Sequence, residues 1–225
     1  MRILLLSTAD TDLLAARACD VGYRLANPAR TEPTELSALL EGVDVVVLRL
    51  LGGRRAWEPG LEALLRARLP TVCLGGEAVP DAQLMAASTV PAGVVAEALR
   101  YLVAGGPANL AQLARFLSDT LLFTGEGFEP PAATPDYGVH DVREPDPGRP
   151  TVGIVFYRAH ALAGNTGFVD VLADALRAAG ANALPVFCGS LRGLGDAQAR
   201  RLRALLGRCD AVVTTVLAAG GSAGA

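Results

Sequence analysis

The segment Val43–Leu50 (VDVVVLRL) constrains the fold more than any other stretch of this chain. It is rich in β-branched residues and almost continuously apolar. A strand with one wet face alternates apolar and polar side chains, whereas one without alternation is covered on both faces. That is the condition of a parallel strand inside an α/β sheet, with helices packed on either side. Arg2–Ser7 (RILLLS) and Pro70–Leu74 (PTVCL) read the same way. Helical spacing fills the intervals. Thr34–Leu40 carries Leu36, Leu39 and Leu40, and Trp57–Arg68 sets Leu61, Leu64 and Leu65 on one face with arginines opposite. Val94–Val103 stops at Gly105-Gly106, after which Pro107 suits the first position of a further helix bearing Leu110, Leu113, Leu117 and Leu121. In Ser88–Gly93 (STVPAG), Ser88 and Thr89 read as capping residues at a helix start.

Periodicity disappears over residues 124–150, which hold six of the fourteen prolines and a scatter of acids. A second alternation then begins. Val152–Tyr157 is a predicted strand, Thr166–Ala179 a helix, Ala183–Phe187 a strand, Asp196–Leu206 a helix capped by Asp196, and Ala211–Val216 a strand. The expected organisation is an N-terminal α/β domain over 1–125, a Pro-rich connector over 126–150, and the start of a second α/β domain over 151–225. The fold class is α/β: open parallel sheets of flavodoxin or Rossmann character in two consecutive units. Three strands and two helices are half of an open α/β domain, so the second unit reads as incomplete.

Composition removes several functions. The chain has 225 residues and a net charge of −3, with no basic field for nucleic acid. The apolar run Ile3–Leu6 is cut short by Asp10 and Asp12, too soon for a secretory signal, and no apolar run approaches a membrane span. A cytoplasmic protein without a membrane partner is expected. Cys19, Cys73, Cys188 and Cys209 form no CxxC or CxxH pair, so they read as reduced thiols. Only His140 and His160 could supply imidazole, too few for a histidine-rich metal site, and no metal ligands are assigned.

Two stretches offer candidate binding chemistry. In Thr151–Leu172 (TVGIVFYRAHALAGNTGFVDVL), Gly164 and Gly167 do not match the dinucleotide spacing GxGxxG. A P-loop needs a lysine, and all 20 basic residues here are arginine. The stretch is either a strand-to-helix corner capped by Asn165 or Thr166, or a cleft rim lined by Tyr157, Arg158, His160 and Asn165. In Val45–Glu58 (VVVLRLLGGRRAWE), Arg49 ends a buried strand before Gly52-Gly53. Such an arginine needs a partner, and Glu77 at the end of the next strand is the candidate. The pair is either structural or a clamp for an anion, since guanidinium bonds both oxygens of a carboxylate. The neighbours His140/Asp141 and Ser190/Asp196 lack the context of a catalytic triad.

The ordered set VVVLRLLGGRRAWEPGL, LGGEA, ASTVPAGVVAEALRYLVAGGPANL, GIVFYRAHALAGNTGFVDVLADALRAAGANALPVFCGSLRG and AVVTTVLAAGG resembles the large subunit of aerobic cobaltochelatases, the CobN type. It is similar, more distantly, to the H subunit of magnesium chelatase. The resemblance runs from residue 3 through the whole chain and implies an N-terminal fragment of a much longer subunit. It implies an ATP-dependent ligase forming nitrogen–metal bonds, which inserts Co(II), as substrate, into hydrogenobyrinic acid a,c-diamide in cobalamin biosynthesis. ATP and Mg(II) would act through partners, an AAA+ ATPase subunit and an adaptor subunit, and the fragment alone would be inactive. An anionic corrinoid would find Arg49, Gly52, Gly53, Glu77, Tyr157, Arg158, His160 and Asn165 as candidate contacts, with Arg54 and Arg55 nearby. Catalytic residues are expected outside this chain. The alternative is a non-catalytic α/β module that binds an anionic small molecule or docks a partner subunit.

Overall fold

The computed structural model describes residues 1–32, 34–189 and 196–216. The chain divides into two compact units, Met1–Thr134 and Pro135–Ala225. The segment expected to connect two domains is thus shared between them, its first part belonging to one unit and the rest to the other.

The first unit runs β1 (Ile3–Ser7), α1 (Asp10–Ala18), β2 (Tyr23–Ala26), α2 (Leu36–Leu40), β3 (Val45–Leu50), α3 (Glu58–Arg66), β4 (Thr71–Gly75), α4 (Ala82–Ala87), α5 (Ala92–Ala104) and α6 (Gly106–Leu122). Its sheet is wholly parallel, in the order β2-β1-β3-β4, with Leu5 beside Val47 and Val47 beside Val72. All six residues of β3 are buried, as its unbroken apolar run requires. Leu4, Leu6, Val46, Leu48 and Leu50 pack with Leu36, Trp57, Leu61, Leu64 and Leu84. Ile3, Leu5, Val45 and Val47 alternate with them and are equally covered on the other face. Gly60 lets the Trp57 ring lie on α3, because a Cβ there would sit 2.1 Å from Trp57 Cε2.

Three elements of this unit, α1, β2 and α4, have no counterpart in the pattern reading. The β2 stretch YRLA is an edge strand with only half-buried residues, so it never shows a continuous apolar run. Ser88 and Thr89 also act differently from the caps expected of them. Ser88 Oγ accepts from Cys73 N at 2.8 Å and Thr89 Oγ1 from Thr71 N at 2.8 Å. They complete the open edge of β4, while α5 starts after Pro91 without a side-chain cap.

After α6, the chain folds back on the same unit. Phe123 ends the helix in the left-handed conformation. Asp119 gathers Thr124 and the amides of Glu126 and Gly127. Asn109 then clips the returning chain: its Oδ1 accepts from Ala132 N at 2.9 Å, and its Nδ2 donates to Ala132 O at 3.1 Å and Gly105 O at 2.8 Å.

The second unit runs β5 (Tyr137–Val139), β6 (Thr151–Tyr157), α7 (Arg158–Leu162), α8 (Gly167–Ala178), β7 (Asn182–Cys188), α9 (Asp196–Leu206) and β8 (Ala211–Thr214). The sheet order is β5-β7-β6-β8. The three later strands are parallel, and β5 is an antiparallel edge on β7. Ile154 and Phe156 face α8 through Val169 and Ala173, whereas Val155 and Val186 face α9 through Leu202. Ser190 and the side chain of Asp196 lie outside the described residues.

Candidate functional site

In open α/β sheets ligands gather beyond the carboxyl ends of the strands, where the strand order reverses. In the first unit that reversal lies between β1 and β3. The crevice there is filled by the protein itself. Arg49, at the end of β3, lays its Nη1 3.0 and 3.2 Å from the two oxygens of Asp12, near the start of α1. Its Nη2 donates to Gly76 O at 2.8 Å, beyond β4. Ser7 Oγ, the last residue of β1, donates to the same Asp12 carboxylate at 2.7 Å. The ion pair is nearly dry, with side-chain exposures of 10% and 12%. Among the described residues, Arg49 Nε is buried without a partner.

The partner of Arg49 is therefore Asp12, not Glu77, which lies exposed beyond β4. The reason is geometric. Ser7 and Arg49 are register neighbours on β1 and β3, so the first turn of α1 begins beside the guanidinium. A strand-only reading could not find Asp12 because α1 itself was not legible. Gly52 and Gly53 follow with φ of +87° and +72°, values that favour glycine and let the chain turn sharply off β3. Arg54 pairs with Glu58 at 3.2 Å in an exposed pair one turn apart, and Arg55 is exposed.

In the second unit the strand order reverses between β6 and β8. Tyr157, Arg158, His160 and Asn165 all sit on the corner that leads from β6 through α7 to α8. Arg158 Nε donates to Pro135 O at 2.8 Å, and burial lowers the pKa of its guanidinium. His160 and Asn165 are brought together: Asn165 N donates to His160 O at 2.9 Å, and Asn165 Nδ2 lies 3.4 Å from His160 Nδ1. The His160 ring meets Phe168 edge-on, with 5.3 Å between ring centres. Thr166 stands at the N-cap of α8, but its hydroxyl turns to Asp170 Oδ2 at 3.2 Å instead of capping. Its carbonyl takes the amides of Val169 and Asp170.

His140 belongs to the same face through a partner its sequence neighbours did not suggest. His140 Nε2 lies 3.0 Å from Asp170 Oδ1, and its ring stands edge-on to Phe156. Asp141 goes instead to Arg177, whose Nη2 is 2.8 Å away. The two residues after β5 thus pin this edge strand to α8 by two separate pairs. No group of three or more His, Cys, Asp or Glu side chains among the described residues is placed to hold a metal ion. Among the same residues, no helix is long and apolar enough to cross a membrane.

The model of the CobN/magnesium chelatase family matches residues 99–224, more than half of the chain. The chain belongs to the CobN/magnesium chelatase family. Its match to the aerobic cobaltochelatase subunit CobN of Pseudomonas aeruginosa is 30% identical over 216 residues, covering 84% of this chain and 17% of that protein. The corresponding subunit from a Sinorhizobium species is 33% identical over 225 residues, with 84% and 18% covered. The solved catalytic subunit of cobaltochelatase from Mycobacterium tuberculosis is 47% identical, with a TM-score of 0.72, over 98% of this chain and 18% of that one. The chain thus spans less than a fifth of the length of these CobN-type relatives.

Proposed function

We propose that this chain is the N-terminal part of the large subunit of an ATP-dependent cobaltochelatase, which inserts Co(II) into hydrogenobyrinic acid a,c-diamide during cobalamin synthesis in the cytoplasm. The observation that carries the reading is the 47% identity to a cobaltochelatase catalytic subunit across 98% of the chain. ATP and Mg(II) act through an AAA+ ATPase subunit and an adaptor subunit.

Insertion demands that the macrocycle be distorted, two pyrrolic protons removed and the cobalt ion dehydrated. Imidazole and carboxylate groups suit the last two tasks. Here His140 is engaged by Asp170, and His160 is packed on Phe168 beside Asn165. These commitments support a catalytic centre elsewhere in the subunit and a positioning role for this part. Arg49 is assigned to that scaffold, since a guanidinium neutralised by a buried carboxylate has little charge left for a corrinoid. Tyr157, Arg158, His160 and Asn165, on the corner after β6, remain candidate substrate contacts.

The test is cobalt insertion by the full-length subunit with its ATPase and adaptor partners, followed by the absorbance change of the corrin. Metallation dependent on ATP is the expected result. A folded subunit that leaves the corrinoid metal-free while its partners hydrolyse ATP overturns the reading. The alternative, a non-catalytic docking module, predicts ligand or subunit binding without metallation.

A further inference from the structure

The four residues of β8 are exposed, unlike those of every other edge strand described. β4 is wholly buried, and β2 and β5 are half-buried throughout. β8 is also apolar and β-branched, Ala-Val-Val-Thr, with no charge in the strand. Among the described residues no strand pairs with its outer edge. A free edge of this kind is a template for further pairing, and proteins that keep an edge open blunt it with charge, proline or a bulge. The acid that precedes it does not serve, since Asp210 accepts from Thr151 N at 2.7 Å and so belongs to the sheet.

The register shows what lies on each face. Val213 stands beside Ile154, which faces α8, and Val212 stands beside Gly153. A Cβ on Gly153 would meet Leu206 of α9, so Val212 lies on the α9 side. Val213 is 42% exposed and Val212 47%. On the α8 side the apolar surface continues: Phe168 touches Phe156 of β6 and is 42% exposed, and Val171, one turn on, is 71% exposed. A parallel strand is normally covered on both faces, so both valines stand where a helix-covered interior belongs.

We propose that the free edge of β8 is occupied by a strand from elsewhere in the same large subunit, outside these 225 residues, carrying a helix that covers Val213 and lies along Phe168 and Val171. This rests on the reading of the chain as part of a subunit of its relatives' length, in which the matched region is 17–18% of the protein. The occupant is a strand with apolar residues on both faces, since it continues a two-sided sheet. It comes with a helix because a parallel neighbour needs a crossover connection.

Hydrogen exchange tests this, comparing the amides of residues 211–214 in the full-length subunit and in the 225-residue chain, each first shown to be folded by circular dichroism. The full-length subunit is expected to slow their exchange about 100-fold or more relative to the chain alone. Val171→Asp in the full-length subunit should return part of that protection, roughly tenfold. Equal exchange in both forms overturns the proposal. So does protection of the short chain that rises with its concentration, which assigns the edge to a second copy. Protection that appears only on adding the ATPase or adaptor subunit overturns it as well, assigning the edge to a partner. A subunit that protects β8 but inserts no cobalt defeats the functional reading and leaves this one standing.

Discussion

The two units solve the same problem, a parallel sheet flanked by helices, with different degrees of closure. In the first, β1, β3 and β4 are buried along their whole lengths, and the crevice at the strand-order reversal is plugged by the Asp12–Arg49 pair. In the second, the sheet has an antiparallel cap at one edge and a bare, valine-rich strand at the other. Its polar residues sit on a corner open to solvent. The contrast teaches where each unit spends its charge. The first buries an ion pair as an internal tie, and the second holds an edge strand with one exposed pair, His140–Asp170, and one half-buried pair, Asp141–Arg177.

The largest expected effect follows from that burial. Removing one partner of a dry ion pair leaves the other charge uncompensated, at a cost of about 3–5 kcal/mol. Arg49→Ala should therefore lower urea-unfolding stability by that amount, as should Asp12→Ala. Replacing both with apolar residues should cost much less than the sum. A single-variant loss below about 1 kcal/mol would mean that the pair is as wet as those of the second unit, and the contrast would fail.

A pH experiment sharpens the comparison at the next level. Burial pushes the Cys73 thiol, on β4, from 9.0 up to about 11. Burial also raises the Tyr23 phenol, whose hydroxyl donates to Leu110 O at 2.6 Å. A raised pKa in the fold means that the unfolded chain loses the proton first. Stability is full below about pH 9 and falls as pH rises towards 11. The thiol contributes a loss of up to roughly 2–3 kcal/mol. Urea titrations at pH 8, 9.5 and 11 should show it, and Cys73→Ser should flatten the slope. A slope unchanged in that variant assigns the loss to other groups.

What the sequence made legible follows from how each element is buried. β1, β3, β4, β6 and β7 announce themselves because two-sided burial writes a continuous apolar run, and α5, α6 and α8 because one-sided burial writes a helical period. β2 and β5 are half-buried edges of four and three residues, too short and too mixed to show a pattern. The sites follow the same logic. Arg49 stood out as a charge inside an apolar run, but its partner lay on an illegible helix, so Glu77 was the nearest acid in view. The grouping of His160 with Asn165 was visible as a corner. The His140–Asp170 pair, thirty positions apart, needed the antiparallel β5 to bring it together.

An intermediate effect tests how the first unit holds its tail. Asn109 makes three hydrogen bonds, to Gly105 O and to both backbone groups of Ala132, while almost fully buried. Asn109→Ala leaves those groups unmatched and should cost about 1–3 kcal/mol. Limited proteolysis should then cut the 124–134 segment faster, without exposing β1–β4. Unchanged cleavage would mean that Gln112, which accepts from Glu129 N at 2.9 Å, and Thr134, which donates to Ala104 O at 2.6 Å, hold the segment unaided.

The smallest effect belongs to the second unit and is the sharpest test of the contrast. The His140–Asp170 pair is exposed, at 26% and 52%, so screening by water limits what it is worth. Asp170→Asn keeps the shape and removes the charge. It should change stability by less than about 1 kcal/mol, and the change should shrink further in high salt. Hydrogen exchange of Tyr137–Val139 is the local readout, since these residues are the strand that the pair pins to α8. Faster exchange there, with β6 and β7 unchanged, is the signature of an edge held by a surface clamp. A global loss comparable to that of Arg49→Ala would place a hidden dry ion pair in the second unit too. The two units would then differ in closure at β8 alone.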